Sequence, residues 1–320
     1  MTASRGARRF ATVLFLGVAL AFVVTLLKGQ WTSLGEVMAA TRTFEWSFRP
    51  WLLLLAVVTG VADLLLMGSV WAGLFRRTGG NARRADAVRV WVVTNFGRYI
   101  PGKVWQLGGL AAYMKGRGDS GAAALASALA FQIITLVTGG AVAVSTIGVA
   151  WAGGEGNWLP AVVALAGILF LGLHPGVIRW IASRLGGWLG EDDMTVDLGA
   201  GHIVRAAAGM LLAWSLYGVG LLLVLRGVGV TSEINQLPLL TGIFAASYVV
   251  GYLVLVAPGG LVVREGAMTA LLVDLAGLAV GVAAAVAIVA RIWMVVTELA
   301  ALALVLTWPR SVEEGKERLD

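Results

Sequence analysis

The chain has no cysteine, only two histidines among 320 residues, and charged side chains at just 13% of positions. Without cysteine, disulfides and thiolate chemistry are excluded. His174 and His202 have no carboxylate or second histidine at ligand spacing, so they form no metal-binding pattern. No GxxxxGK[ST] loop, HExxH or GxSxG motif occurs, and nothing signals nucleotide use or hydrolysis. No cofactor is expected. The shortage of charge is the most telling absence. Soluble domains carry about 25% charged residues, and here the deficit accompanies 59% hydrophobic residues. That balance belongs to a membrane protein. The longest polar interval, Arg179 to Arg205, is too short to hold a core of its own. A single integral membrane domain over 1–320 is expected, without a large extramembrane catalytic domain inside it.

What is present are apolar runs of spanning length. Phe10 to Leu27 reads as a first span rather than a signal peptide, because the run is long and no Ala-x-Ala-like site follows it. Further spans are read at Trp51 to Leu74, Gly121 to Trp151, Leu159 to Ile178, Ala206 to Leu225 and Leu237 to Val256. Gly259 to Val273 reads as a second re-entrant element or a short span. Leu275 to Trp308 reads as one long helix or two pieces. The expected fold is therefore an all-α polytopic bundle of about seven or eight spans, with a charged tail at 310–320. The net charge of +6 is concentrated in loops: Arg5, Arg8 and Arg9, then Arg76, Arg77, Arg83, Arg84 and Arg89. In a membrane protein this encodes orientation rather than nucleic-acid binding, and it places the N-terminus in the cytoplasm. The thirteen tryptophans read mainly as interfacial anchors.

One segment interrupts this pattern. Val90 to Met114 is apolar, yet it contains Arg98, Tyr99, Pro101, Gly102, Lys103, Trp105 and Gln106, and basic residues flank it on both sides. Entry and exit on one side predict a re-entrant hairpin turning at Pro101–Gly102. A cation in hydrocarbon costs at least about 2.5 kcal/mol. Arg98 and Lys103 thus read either as ligands for an anion such as a lipid phosphate, or as side chains snorkelling to the interface. A second element, Pro258-Gly259-Gly260, precedes Arg264 and Glu265. The pair of breaks divides the chain into similar halves, 1–178 and 179–320, a pattern known from transporters. Asp63, Arg291 and Glu298 are further ionisable groups within or near spans. Together with Arg264 and Glu265 they read as a charge network, either structural or reorganising during transport. The expected partners are Arg98 or Lys103 for Glu265, and Glu298 or Asp63 for Arg264.

Residues Asn95 to Trp105 resemble the lysylphosphatidylglycerol synthase transmembrane-region family, which typically shows R-Y-x-P-G-K-[IV]-W. Pro258 to Glu265 is similar to that family's P-G-G-[LI]-G-x-R-E element, with Val262 in place of the usual glycine. Gln132 stands where members often carry glutamate. The resemblance covers nearly the whole chain. It implies lipid translocation: a flippase for an anionic phospholipid or glycolipid, without enzymatic activity, in the cell membrane. Arg98, Tyr99, Lys103, Trp105 and Gln106 would bind the headgroup. The alternative is a membrane scaffold or accessory subunit for a glycosyltransferase or lipid synthase. An intramembrane lipid-modifying enzyme is a weaker third reading. The expected partners are membrane lipids, a partner enzyme or further copies of the chain.

Overall fold

The computed structural model describes residues 44–99, 104–151, 159–178, 180, 198–253 and 262–308. The first expected span, Pro101 to Lys103, Pro258 to Gly260 and the charged tail all lie outside these residues. Every regular element described is helical. In chain order they are α1 (Pro50–Arg77), α2 (Arg84–Asn95) with a 3-10 turn (Phe96–Tyr99), α3 (Val104–Gly116), α4 (Gly121–Trp151) and α5 (Leu159–Gly172). Next come α6 (Ala200–Gly227), a 3-10 turn (Ile234–Gln236), α7 (Leu237–Leu253), α8 (Val263–Ala276) and α9 (Val280–Leu306). Among the described residues five stretches are long and apolar enough to cross a membrane: α1, α4, α6, α7 with its preceding turn, and α9.

Local chemistry sets the ends of these helices. Pro50 opens α1, where its missing N–H is no loss. Arg76 and Arg77 close it, opposing the negative end of the helix dipole. Three expected boundaries move. The span expected from Leu159 to Ile178 ends at Gly172, because Pro175 disfavours helical backbone at His174 before it. The span expected from Ala206 starts at Ala200, because no proline interrupts the helix there and the exposed Arg205 side chain reaches solvent from a helical backbone. The segment expected from Leu275 is split, because Gly277 adopts a left-handed φ of 67° and ends α8, after which α9 runs as a single helix.

The packing fixes the direction of each helix. Arg49 N–H donates to Gly227 O at 2.8 Å, so the start of α1 sits at the end of α6 and the two run antiparallel. Asp119, between α3 and α4, accepts from the Asn81 and Ala82 amides at 3.1 and 2.7 Å, and Thr78 Oγ1 donates to Ala123 O at 3.0 Å. The chain therefore enters α2 and leaves α3 at the same, arginine-rich end of the bundle. Arg89 Nη1 donates to Trp308 O at 3.4 Å, placing the end of α9 there as well. Helices α8 and α9 form an antiparallel pair joined at the far end, and α8 packs back along α7. The α2–α3 pair is thus based at one end of the molecule and the α7–α8 pair at the other.

The tryptophans correct one expectation. Trp51 is exposed at the start of α1, as an anchor should be, but Trp71, Trp91, Trp214 and Trp293 are buried core residues. Trp71 stacks on Phe75 at 5.1 Å, and Trp214 Nε1 donates to Thr138 Oγ1 at 3.1 Å. A helix–helix seam that closes on an indole needs a residue without a side chain opposite it. Gly220 of α6 provides one, since a Cβ there would run into the Trp293 ring.

Replacing Asp119 with alanine removes the acceptor that joins the two loops. The expected loss is about 1–3 kcal/mol, read as a lower thermal unfolding midpoint in detergent, with Asp119→Asn losing less.

Candidate functional site: an interior layer of ionisable side chains

The site is assembled from the N-terminal turn of α8 and the faces of α1, α6, α7 and α9 around it. Val262 caps α8 at φ 70°, ψ −47°, and its carbonyl accepts the Gly266 amide at 2.8 Å. This is strained backbone for a β-branched residue. It falls at the position where the resembled motif has glycine, so the sequence carried a signal for it. The turn directs Arg264 inward, where it is 6% exposed. Its guanidinium lies 4.6 Å from the Phe244 ring centroid and 5.5 Å from that of Tyr248. These rings stand one helical turn apart on one face of α7. Gly251, a turn further along, lets α8 come close: a Cβ there would sit 2.9 Å from the Cβ of Arg264. A desolvated guanidinium over aromatic faces gains on the order of 2 kcal/mol. The sequence held the spacing of Phe244, Tyr248 and Gly251, but only the folded structure places Arg264 over it.

Glu265 faces α9 instead. Its Oε1 lies 3.6 Å from Arg291 Nη1, with the two side chains 20% and 15% exposed. Arg291 is a partner that the sequence reading did not assign. Glu265 Oε2 is buried and meets no donor among the described residues. A gap of about 10 Å³ separates Arg264, Glu265 and Arg291 from Met268 and Met294.

Two turns along α9 from Arg291, Glu298 is 3% exposed. Its neighbour Thr297 is seated against α1, where a Cβ on Gly60 would meet it at 2.7 Å. Asp63, one turn on from Gly60, is fully buried. Tyr217 of α6 faces Asp63, but neither carboxylate oxygen reaches hydrogen-bond geometry with a donor among the described residues. A second gap of about 10 Å³, lined by Leu64, Tyr217, Trp293, Met294, Thr297 and Glu298, adjoins this layer. Between the two groups lies an aromatic cluster, with Tyr217 stacked on Phe244 at 4.4 Å and Trp293 edge-on to both at 6.3 and 6.0 Å. Asp63, Arg264, Glu265, Arg291 and Glu298 are therefore gathered in the interior of one bundle, three carboxylates with two guanidiniums.

Arg98 and Tyr99 end the 3-10 turn after α2, while Trp105 and Gln106 lie in the first turn of α3. Their side-chain positions, with Pro101, Gly102, Lys103, Pro258, Gly259 and Gly260, lie outside the described residues. Gln132 of α4 has a buried Nε2 with no acceptor among the described residues.

Long apolar helices surrounding a layer of buried ions define a polytopic α-helical membrane protein. Its sequence matches the family model described as the lysylphosphatidylglycerol synthase TM region over residues 10–301, and the chain belongs to that family. Comparison with curated proteins and with solved structures finds no match.

Two substitutions probe the α7–α8 contact. Phe244→Leu keeps the apolar volume but removes the π face, and should lower stability by about 1–2 kcal/mol. Val262→Gly relieves the positive φ and should raise the unfolding midpoint, by about 1 kcal/mol after the entropy of glycine is subtracted. Thermal unfolding of the purified protein in detergent reads both.

Proposed function

We propose that this protein is a lipid translocase for an anionic phospholipid or glycolipid, acting as a transporter rather than an enzyme. The observation that carries this reading is the interior charge layer. Ionisable groups inside a membrane bundle are costly and mark substrate or ion pathways. Here they sit where a helix pair from one end of the molecule meets long spans. Membership of a family named for a lipid synthase's membrane region supports a lipid as the ligand.

In this reading the α2–α3 pair is a re-entrant hairpin in the cell membrane, with the N-terminus in the cytoplasm. Arg98 grips the headgroup phosphate bidentately and Lys103 acts as a point charge. Tyr99, Trp105 and Gln106 flank the headgroup, and Pro101–Gly102 and Pro258-Gly259-Gly260 form the breaks around the site. The wide 3.6 Å separation of Glu265 and Arg291 suits a gate that exchanges partners, since a polar headgroup can replace either side chain. Asp63, Arg264 and Glu298 complete that gate.

Reconstitution with fluorescent phosphatidylglycerol in one leaflet tests the reading. Wild-type protein should accelerate its exchange between leaflets. The Arg98→Ala, Lys103→Ala variant should lose at least about tenfold of the rate, an effect of the size expected when two charged phosphate contacts are lost. Equal rates would remove the proposed site. An inert wild-type protein that pulls down a stable enzyme partner would favour the scaffold reading instead. Glu265→Gln and Arg291→Gln should each slow exchange, and the swapped pair Glu265→Arg, Arg291→Glu should recover part of it.

A further inference from the structure

The arginine-rich end holds a cavity of about 350 Å³ in the seam between α1, α2 and α6. Arg76 and Arg77 from the last turn of α1, Arg84 from the first residue of α2, and His202 and Arg205 from the first turns of α6 all line it. Among the described residues no acidic side chain lines it. The four arginines are exposed and form no ion pair among the described residues; Arg205 Nε donates to Gly201 O at 3.0 Å, which leaves its terminal nitrogens available. Helices α2 and α6 both begin here without a side-chain cap, so first-turn amides with partial positive charge face the same region. Cations of this density repel one another unless an anion lies between them.

The wall of the cavity indicates what kind of anion fits. On α1 it descends from Arg77 through Gly73, Val70 and Ser69 to Leu66, a helical stripe about 16 Å long at 1.5 Å per residue. A free phosphate needs only the cationic rim. A phospholipid uses both parts, with its phosphate at the rim and an acyl chain along the stripe. Gly73 keeps the stripe open: a Cβ there would meet nothing within 4 Å, and the cavity adjoins a second opening of about 350 Å³ bounded by Gly73, Arg76 and Arg77. Basic pockets between spanning helices at the positive side of a membrane suit anionic headgroups.

We propose that this seam is a binding site for one anionic phospholipid of the leaflet at the arginine-rich end, separate from the translocation site. Its phosphate is held by Arg76, Arg77, Arg84 and Arg205 and its chain lies against α1 past Gly73.

The test is native mass spectrometry of the full-length protein in neutral detergent, titrated with phosphatidylglycerol, cardiolipin or phosphatidylcholine. Wild-type protein should retain one anionic lipid at least about tenfold more tightly than phosphatidylcholine, a ratio that one or two charge-assisted phosphate contacts supply. Arg76→Gln, Arg77→Gln, Arg205→Gln should abolish that preference. Gly73→Trp, whose Cβ has open space and whose ring would occupy the stripe without changing charge, should weaken retention of all three lipids. It also decides the matter if the triple variant fails to fold. Inorganic phosphate at millimolar concentration should not displace the lipid; displacement would assign the rim to a soluble phosphate and overturn the lipid. Equal retention of phosphatidylcholine and phosphatidylglycerol by wild-type protein, or full retention in Gly73→Trp, would overturn the site.

Discussion

The placement of Arg264 constrains everything around it. A guanidinium cannot be deprotonated at any relevant pH, so a fold that buries one must compensate it where it stands. Helix α7 does so with two aromatic faces one turn apart, and Gly251 removes the side chain that would hold α8 away. Once α8 is drawn against α7 in this way, Glu265 turns toward α9, and Arg291 is brought to the same depth. The antiparallel α8–α9 pair then fixes where Glu298 and Thr297 meet α1. The register of four helices thus depends on one cation finding enough electron density inside an apolar bundle.

The two ends of the molecule use charge differently. In the interior, ions of both signs are few and largely buried, and Glu265 and Arg291 stand 3.6 Å apart. At the arginine-rich end most of the described charges are cationic, and the N-termini of α2 and α6 add to the same potential. Asp86, in the first turn of α2, is one carboxylate there and Asp119 is another. Asp119 spends its charge on backbone amides and ties the entry of α2 to the exit of α3. That tie makes the α2–α3 pair a single excursion from one end, with Arg89 joining it to the end of α9.

Much of the fold was legible in the sequence, because twenty-residue apolar runs have few alternatives to a spanning helix. The limits of α4 and α7 were close to the composition-based reading, whereas α5 stops at Gly172, short of the expected Ile178. Local backbone geometry was less legible: Gly277 ends α8 in the middle of an apolar run. The ionisable members of the site could be named because charge is conspicuous in an apolar chain. Their pairing could not, since Glu265 and Arg291 lie on different helices and nothing in the spacing of either reports the angle between them. The aromatic cluster escaped for a related reason. Tryptophan at a span end and tryptophan in a core look alike until the partner is known, and Trp293 is identified as core by Gly220, which is far from it in sequence.

The backbone of Val262 bears on the balance between conformations. Strain of about 1–3 kcal/mol at a single residue is present only while that residue holds φ near 70°. It therefore raises the described state relative to any state in which the first turn of α8 unwinds. Since 1.4 kcal/mol is a factor of ten in population, the net difference of about 1 kcal/mol from glycine would make any such state about fivefold less rare with valine. A branched side chain in an awkward place thus sets how firmly the first turn of α8 keeps its geometry.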